Sequence, residues 1–221
     1  MKSCWTRKKL CEAILKDLGL QPARTIADMV DQIAEALLRS GRPLLIDEAD
    51  HLVDQKKIEL VRDIHESSHA TVILIGRKEE KLLETVAEIT EDGGRADHRV
   101  LDIRVEDDVR ACVTSILESH GAIHGLVNNA GGQFPSPVAA INQKGFETVV
   151  RTNLVGGFLM AREVYNQHMS KHGGAIVNML ADMWKGMPGM GHSGAARAGM
   201  MNFTMTAAVE WAPSGVRVNA V

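Results

Sequence analysis

No stretch of this 221-residue chain approaches the roughly 18 consecutive apolar residues of a membrane span, so no membrane-crossing helix is expected. The basic N-terminus, MKSCWTRKKLCEAILKDLG, lacks the continuous apolar centre of a signal peptide and patterns instead as an amphipathic helix. Cysteine is scarce: Cys4, Cys11 and Cys112 are the whole supply, an odd number without CxxC spacing. That argues against a disulfide framework and a thiolate zinc site, and it fits reduced thiols in a cytoplasm. Aromatic residues make up only 4%, and tyrosine occurs once, as Tyr165 inside REVYNQHM, where a structural role is expected. Positive charge is not in excess. With a net charge of −3 there is no global basic field, and a nucleic-acid partner is not expected.

What is present is ordinary for a soluble globular protein, with 45% hydrophobic and 24% charged residues. The first forty residues read as helical, over 5–18 and again over 25–39. Thr25 is the expected N-cap of the second helix, with Asp28 placed as in a capping box. Ile26, Met29, Val30, Ile33 and Leu37 fall on one face at 3.6-residue spacing, and Gly41 ends the pattern. From Pro43 strands and helices alternate. Strands are expected near 43–47, 71–76, 97–102, 123–128, 174–179 and 216–221. Helices are expected near 54–67, 78–91, 105–120, 143–171 and 194–212. Apolar, non-alternating strands between amphipathic helices indicate an α/β fold, a doubly wound and mostly parallel Rossmann-like sheet of about six strands. The helical segment 1–42 then forms an N-terminal extension to an α/β domain over 43–221.

RPLLIDEADHL at 42–52 has the form of a Walker B strand, four apolar residues followed by Asp47 and Glu48. Strand-end carboxylates of that kind hold Mg²⁺ through water and polarise an attacking water. With the helix before it and VILIG after it, the stretch from Thr25 to Gly76 resembles AAA+ ATPases of the phage transposition protein B type. That resemblance implies ATP and Mg²⁺ as ligands and a regulatory role in DNA transposition. Its phosphate-cradling loop, GxxxxGK[ST], does not occur, although Lys2 and Ser3 match the last two letters of the motif. DEADH at 47–51 matches the letters of a helicase motif, with no other helicase motif following. His65 and His69 match HExxH, but His69 lies where helix gives way to strand, so no zinc site is expected.

Beyond Gly76 the texture changes. LDIRVEDDV at 101–109, Asn128-Asn129-Ala130-Gly131 and RTNLVGGF around Asn153 follow in order. On these motifs residues 77–221 resemble short-chain dehydrogenases/reductases. NNAGGQFPSP, HGGAIVN and HSGAARAG together resemble the peroxisomal-type trans-2-enoyl-CoA reductases among them. The resemblance implies NADP(H) or NAD(H) as cofactor and an acyl-CoA substrate. It implies that Asp102 and Ile103 flank the adenine, that Asn128, Asn129, Ala130 and Gly131 support the ribose side, and that Asn153 holds a proton-relay water. Arg77 and Lys78 follow the second strand, where a basic residue either pairs with the NADP 2′-phosphate or simply begins a solvated helix. Seven of the eleven methionines lie between Met179 and Met205, which suits either core gap-filling or an acyl-chain wall. Helices 143–171 and 194–212 are the dimer faces in such reductases, so a homo-oligomer is expected.

The departures fall on the chemistry. The family's serine, tyrosine and lysine positions hold Ala181 (to within a residue), Ser193 and Arg197. The tyrosine that enoyl reductases carry shortly after HSGAARAG is replaced by Met201. An arginine stays protonated and cannot relay a proton. The family's opening TGxxxGIG turn is absent too, yet residues 44–77 span about the roughly 30 residues of one βαβ unit. The expectation is therefore one sheet in which LLID and VILIG stand beside four reductase-like strands. The family's usual segment beyond VRVNAV is expected to be missing. Three readings follow: an impaired enoyl-CoA-type reductase, an ATP-binding regulatory module, or a chimeric chain without catalysis.

Overall fold

The computed structural model describes residues 20–40, 44–47, 71–91 and 93–221, with Lys8, Cys11, Glu12 and Leu15 before them. Lys2, Ser3, Glu48, the expected helix 54–67 and the His65–His69 pair lie outside the described residues.

Helix α1 (Ile26–Ser40) opens as its sequence dictates. The Thr25 hydroxyl accepts from the Asp28 backbone N–H (3.1 Å) and donates to the Asp28 carboxylate (2.6 Å), closing the cap. Met29, Val30 and Ile33 are buried on the predicted face.

Six strands follow: β1 (Leu44–Asp47), β2 (Val72–Gly76), β3 (Ala96–Val100), β4 (Gly125–Asn128), β5 (Gly174–Asn178) and β6 (Val216–Ala220). They form one sheet in the order β3-β2-β1-β4-β5-β6, every pairing parallel. Strand β1 lies between β2 and β4, with Leu45 opposite Ile73 on one side and Leu126 on the other. The ATPase-like stretch that ends at Gly76, the seam between the two resemblances, is thus hydrogen-bonded to strands on both sides of it.

Alternating side chains of the sheet feed two cores, as a strand's period of two requires. On one face Val72, Leu74, Val127 and Val177 pack with Met29 and Ile33 of α1, with Cys11 and Leu15, and with Leu82 and Ile89 of α2 (Glu79–Glu91). On the other face Ile73, Ile75, Leu126 and Ile176 pack with α3 (Glu106–His120) and the two long helices that follow. The polar strand β3 is at the sheet edge, where Asp97 binds Arg99 (2.6 Å) and His120 (3.0 Å).

Helix α4 (143–172) is interrupted by two π-helical turns, Arg151–Gly156 and Tyr165–Met169, that apolar periodicity does not reveal. Helix α5 (Gly191–Trp211) starts three residues earlier than expected, which brings His192 and Ser193 into its first turn. Strand β3 ends two residues early, so Asp102 sits in the loop after it. Tyr165 stacks on Trp211 at 4.3 Å, and its hydroxyl meets Ser214 at 3.0 Å, just before β6 and away from the strand ends that carry the candidate site.

Because the cap on α1 closes a helix that covers one face of the sheet, Thr25→Ala should lower unfolding stability by about 1 kcal/mol, read by urea titration with unchanged slope.

Candidate active site

Register aligns the C-terminal ends of the strands on one edge: Asp47 opposite Ile75, Gly76 opposite Val100, Asn128 opposite Asn178, Asn178 opposite Ala220. In open parallel sheets ligands bind at this edge, where the strand order reverses. Here the reversal falls between β1 and β4.

On the β2–β3 side Gly76, Arg77, Leu101, Asp102, Ile103, Arg104 and Thr152 line a narrow cleft. The Asp102 carboxylate accepts from Arg104 Nε (2.8 Å) and Nη2 (2.5 Å) and from the Arg104 backbone N–H (3.0 Å). Those hydrogen bonds hold its carboxyl down to about 2, with the charges of Arg104 and Arg77 adding to them and partial burial opposing. Ile103 is buried against Gly156, where an added Cβ would lie 2.5 Å from the isoleucine Cδ1. Glycine there lets the first π-turn approach the β3 loop. Arg77, which lines the cleft, and Lys78 after it are both exposed.

On the β4–β5 side the predicted residues divide. Asn128 turns inward: its Nδ2 donates to the Gly157 carbonyl (3.0 Å) and to Asn178 Oδ1 (2.8 Å). Asn178 in turn donates to the Thr204 hydroxyl (2.9 Å), which bonds the Met200 carbonyl. The Asn128 side chain therefore ties α4, β5 and α5 together beneath the edge, rather than projecting from it. Asn129, Ala130 and Gly131 carry the chain over that tie. An added Cβ at Gly131 would lie 2.2 Å from Arg197 Nη2, so a side chain there would displace the guanidinium from its present place.

The first π-turn aims Asn153 inward, where it is 2% exposed. Its Oδ1 accepts from the Gly132 N–H (2.7 Å), and its Nδ2 faces Ser193 Oγ (3.5 Å). Ser193 Oγ donates to Gln133 Oε1 (2.8 Å). One turn on, Arg197 Nη1 donates to the Met179 carbonyl at the end of β5 (2.5 Å). Asn153, Ser193, Arg197 and the Gly131–Gly132 loop thus converge. Asp47 ends β1 on the same edge, and its flanking Glu48 lies outside the described residues.

Two residues without an assigned role in the sequence reading belong here. Gln133 lies inside NNAGGQFPSP, a stretch that carried the family resemblance without a role for the glutamine. His192 precedes Ser193, is fully buried, accepts from the Ser193 N–H at Nδ1 (2.8 Å) and packs edge-on to Phe134 (4.4 Å). HSGAARAG displayed the histidine but carried no signal for its contact. Among the described residues no group of histidine, cysteine and carboxylate side chains is arranged to hold a metal, and no helix is long and apolar enough to cross a membrane.

The family model for short chain dehydrogenases matches residues 59–221. The chain belongs to the short-chain dehydrogenase family. An AAA domain model matches residues 1–84, overlapping it across the seam. Within the family, the chain is 33% identical over 151 residues to a peroxisomal 2,4-dienoyl-CoA reductase of Danio rerio, covering 67% of this chain and 50% of that one. It spans about half the length of the peroxisomal 2,4-dienoyl-CoA reductases it matches. A solved citronellol catabolism dehydrogenase (AtuB) from Pseudomonas aeruginosa PAO1 superposes with TM-score 0.75 at 58% identity, over 81% of this chain and 72% of that one. A gluconate 5-dehydrogenase from Burkholderia cenocepacia J2315, in complex with NADP and tartrate, gives TM-score 0.74 at 28% identity over 84% and 72%.

The Asp102–Arg104 contact has a pH signature. The folded carboxyl titrates at about 2, below the ordinary value of roughly 3.9, so it favours folding above the unfolded value and the contribution is lost as pH falls from about 4 through 2. Asp102→Asn should flatten the fall in unfolding stability between about pH 4 and 2, measured by urea titrations at stepped pH.

Proposed function

We propose that this short-chain dehydrogenase is an NADP(H)- or NAD(H)-dependent oxidoreductase acting on CoA-linked enoyl thioesters, with low turnover. The observation that carries this reading is the convergence of Asn153, Ser193 and Arg197 on the Gly131–Gly132 loop, at the edge where the strand order reverses. The names of the dienoyl-CoA reductase relatives support the substrate class.

The residues fit half of a dinucleotide. Asp102 and Ile103 flank the adenine end, Arg77 and Lys78 stand where a 2′-phosphate is neutralised, and Arg197 offers permanent charge to ribose or phosphate oxygens. Bound there, the nicotinamide supplies hydride. The pyrophosphate end fits poorly, since Glu48 and Asp50 follow Asp47 in place of a glycine turn. Like charges about 4 Å apart cost roughly 1–4 kcal/mol at surface-like dielectric. On the substrate side, Ser193, positioned by Asn153, supplies a hydrogen-bond donor for a thioester carbonyl. Neither arginine nor serine releases a proton near neutral pH, and Met201 replaces the tyrosine. Loss of general acid assistance typically costs about 10²–10⁴ in rate.

Two further proposals go with it. The ATPase-like segment acts as the first strand unit of the reductase sheet, and the chain is a chimera in that sense. Exposed Met205 and Val209 on α5, with Phe146 on α4, support a homo-oligomer through helices 143–171 and 194–212. A second reading, an ATP–Mg²⁺ regulatory module in DNA transposition, rests on the AAA domain match and on Asp47 ending β1 at the same edge.

Fluorescence titration with NADPH separates them. Saturable binding, weakened about ten-fold or more in Arg197→Ala, is the expected result. Absence of saturation into the millimolar range would overturn the oxidoreductase reading. Displacement of weakly held NADPH by ATP–Mg²⁺ would favour the second.

A further inference from the structure

The polar chain at the site has a fixed direction. A backbone N–H can only donate, so Gly132 fixes the Asn153 amide with its oxygen toward the loop and its nitrogen toward Ser193 (2.7 and 3.5 Å). Ser193 Oγ, receiving from that nitrogen, turns its own hydrogen to Gln133 Oε1 at 2.8 Å. The hydroxyl that a carbonyl substrate needs is therefore already satisfied, and by another sp² carbonyl oxygen.

The backbone on either side of Gln133 is pinned. Gly132 is held by Asn153, and Ser136 N–H donates to the Gly189 carbonyl (2.7 Å), beside the bridge between Ser136 and Met190. Phe134 packs its ring against buried His192. Residue 133 itself is exposed, so its side chain has solvent to rotate into while the loop stays in place.

The geometry points to Gln133 as a rotamer latch: its amide oxygen stands in for the substrate carbonyl on Ser193 and must swing out before a thioester carbonyl docks. The inference rests on the oxidoreductase reading for its ligand class. It also makes the latch selective. A thioester oxygen is a weaker acceptor than an amide oxygen, so binding requires the remainder of the ligand to offset the exchange. Gln133 is then a specificity-determining residue, acting by competition and not by contact with the bound substrate.

The test is crotonyl-CoA binding by calorimetry to the full chain, wild type against Gln133→Ala and Gln133→Glu, with NADPH titrated in parallel. Removing the competitor should tighten crotonyl-CoA about two- to ten-fold, the range of one net hydrogen bond. A carboxylate accepts more strongly from Ser193, so Gln133→Glu should weaken it by a similar factor. NADPH affinity should stay within about two-fold in both. A purely structural role would move the two variants in the same direction. If wild type binds and Gln133→Ala weakens or leaves affinity unchanged, the latch is overturned while the oxidoreductase reading stands. If no form binds crotonyl-CoA but NADPH still saturates, the latch and the thioester assignment fall together. If neither ligand binds any form, the oxidoreductase reading falls with them.

Discussion

The fold depends on one strand being accepted by neighbours on both sides. Strand β1 has four residues, and it must pair with β2 on its left and β4 on its right for the other strands to form one sheet. Leu-Leu-Ile-Asp suits that place by its sequence, since central strands of parallel sheets read as continuous apolar runs. Nothing in the pairing reads the ancestry of the strand. Backbone hydrogen bonds and apolar side chains are common to ATPase-like and reductase-like sheets, so a Walker-B-type strand can fill the central position. What does not transfer is the turn that follows, because phosphate recognition needs particular residues there and pairing does not.

At the edge above that sheet, close approach is obtained by leaving out side chains. Gly131 admits the Arg197 guanidinium, and Gly156 admits Ile103. The π-turn at Arg151–Gly156 adds one residue per turn and rotates Asn153 into the site. Asn128, though part of the same motif stretch, is used below the edge to join α4, β5 and α5. Position in a motif and position in a cleft are thus separate matters. The site binds itself: Asn153, Ser193 and Arg197 each donate to a group within the protein.

The strand order came only from the pairing, whereas the fold class and the positions of the described strands were legible because they rest on apolar runs and caps. VILIG, LLID and the Thr25–Asp28 cap carry that information in adjacent letters. Asn153, Ser193 and Arg197 were singled out through the family resemblance, and the structure brings them together. The direction Asn128 faces was not, since it depends on Asn178 and Gly157, distant in sequence. The π-turns were not, because a single inserted residue leaves the apolar pattern of a helix almost intact. Gln133 and His192 were visible in their motifs, but their roles arise only when the loop after β4 folds back over the start of α5.

Hydrogen exchange resolved by peptide tests the joined sheet most directly. If β1 sits between β2 and β4, amides in 44–47 should exchange as slowly as those in 125–128, and both should open in the same cooperative unfolding step. Rapid exchange across 44–47 with 125–128 still protected would contradict the account, leaving β4 as a sheet edge and the ATPase-like segment outside the reductase fold.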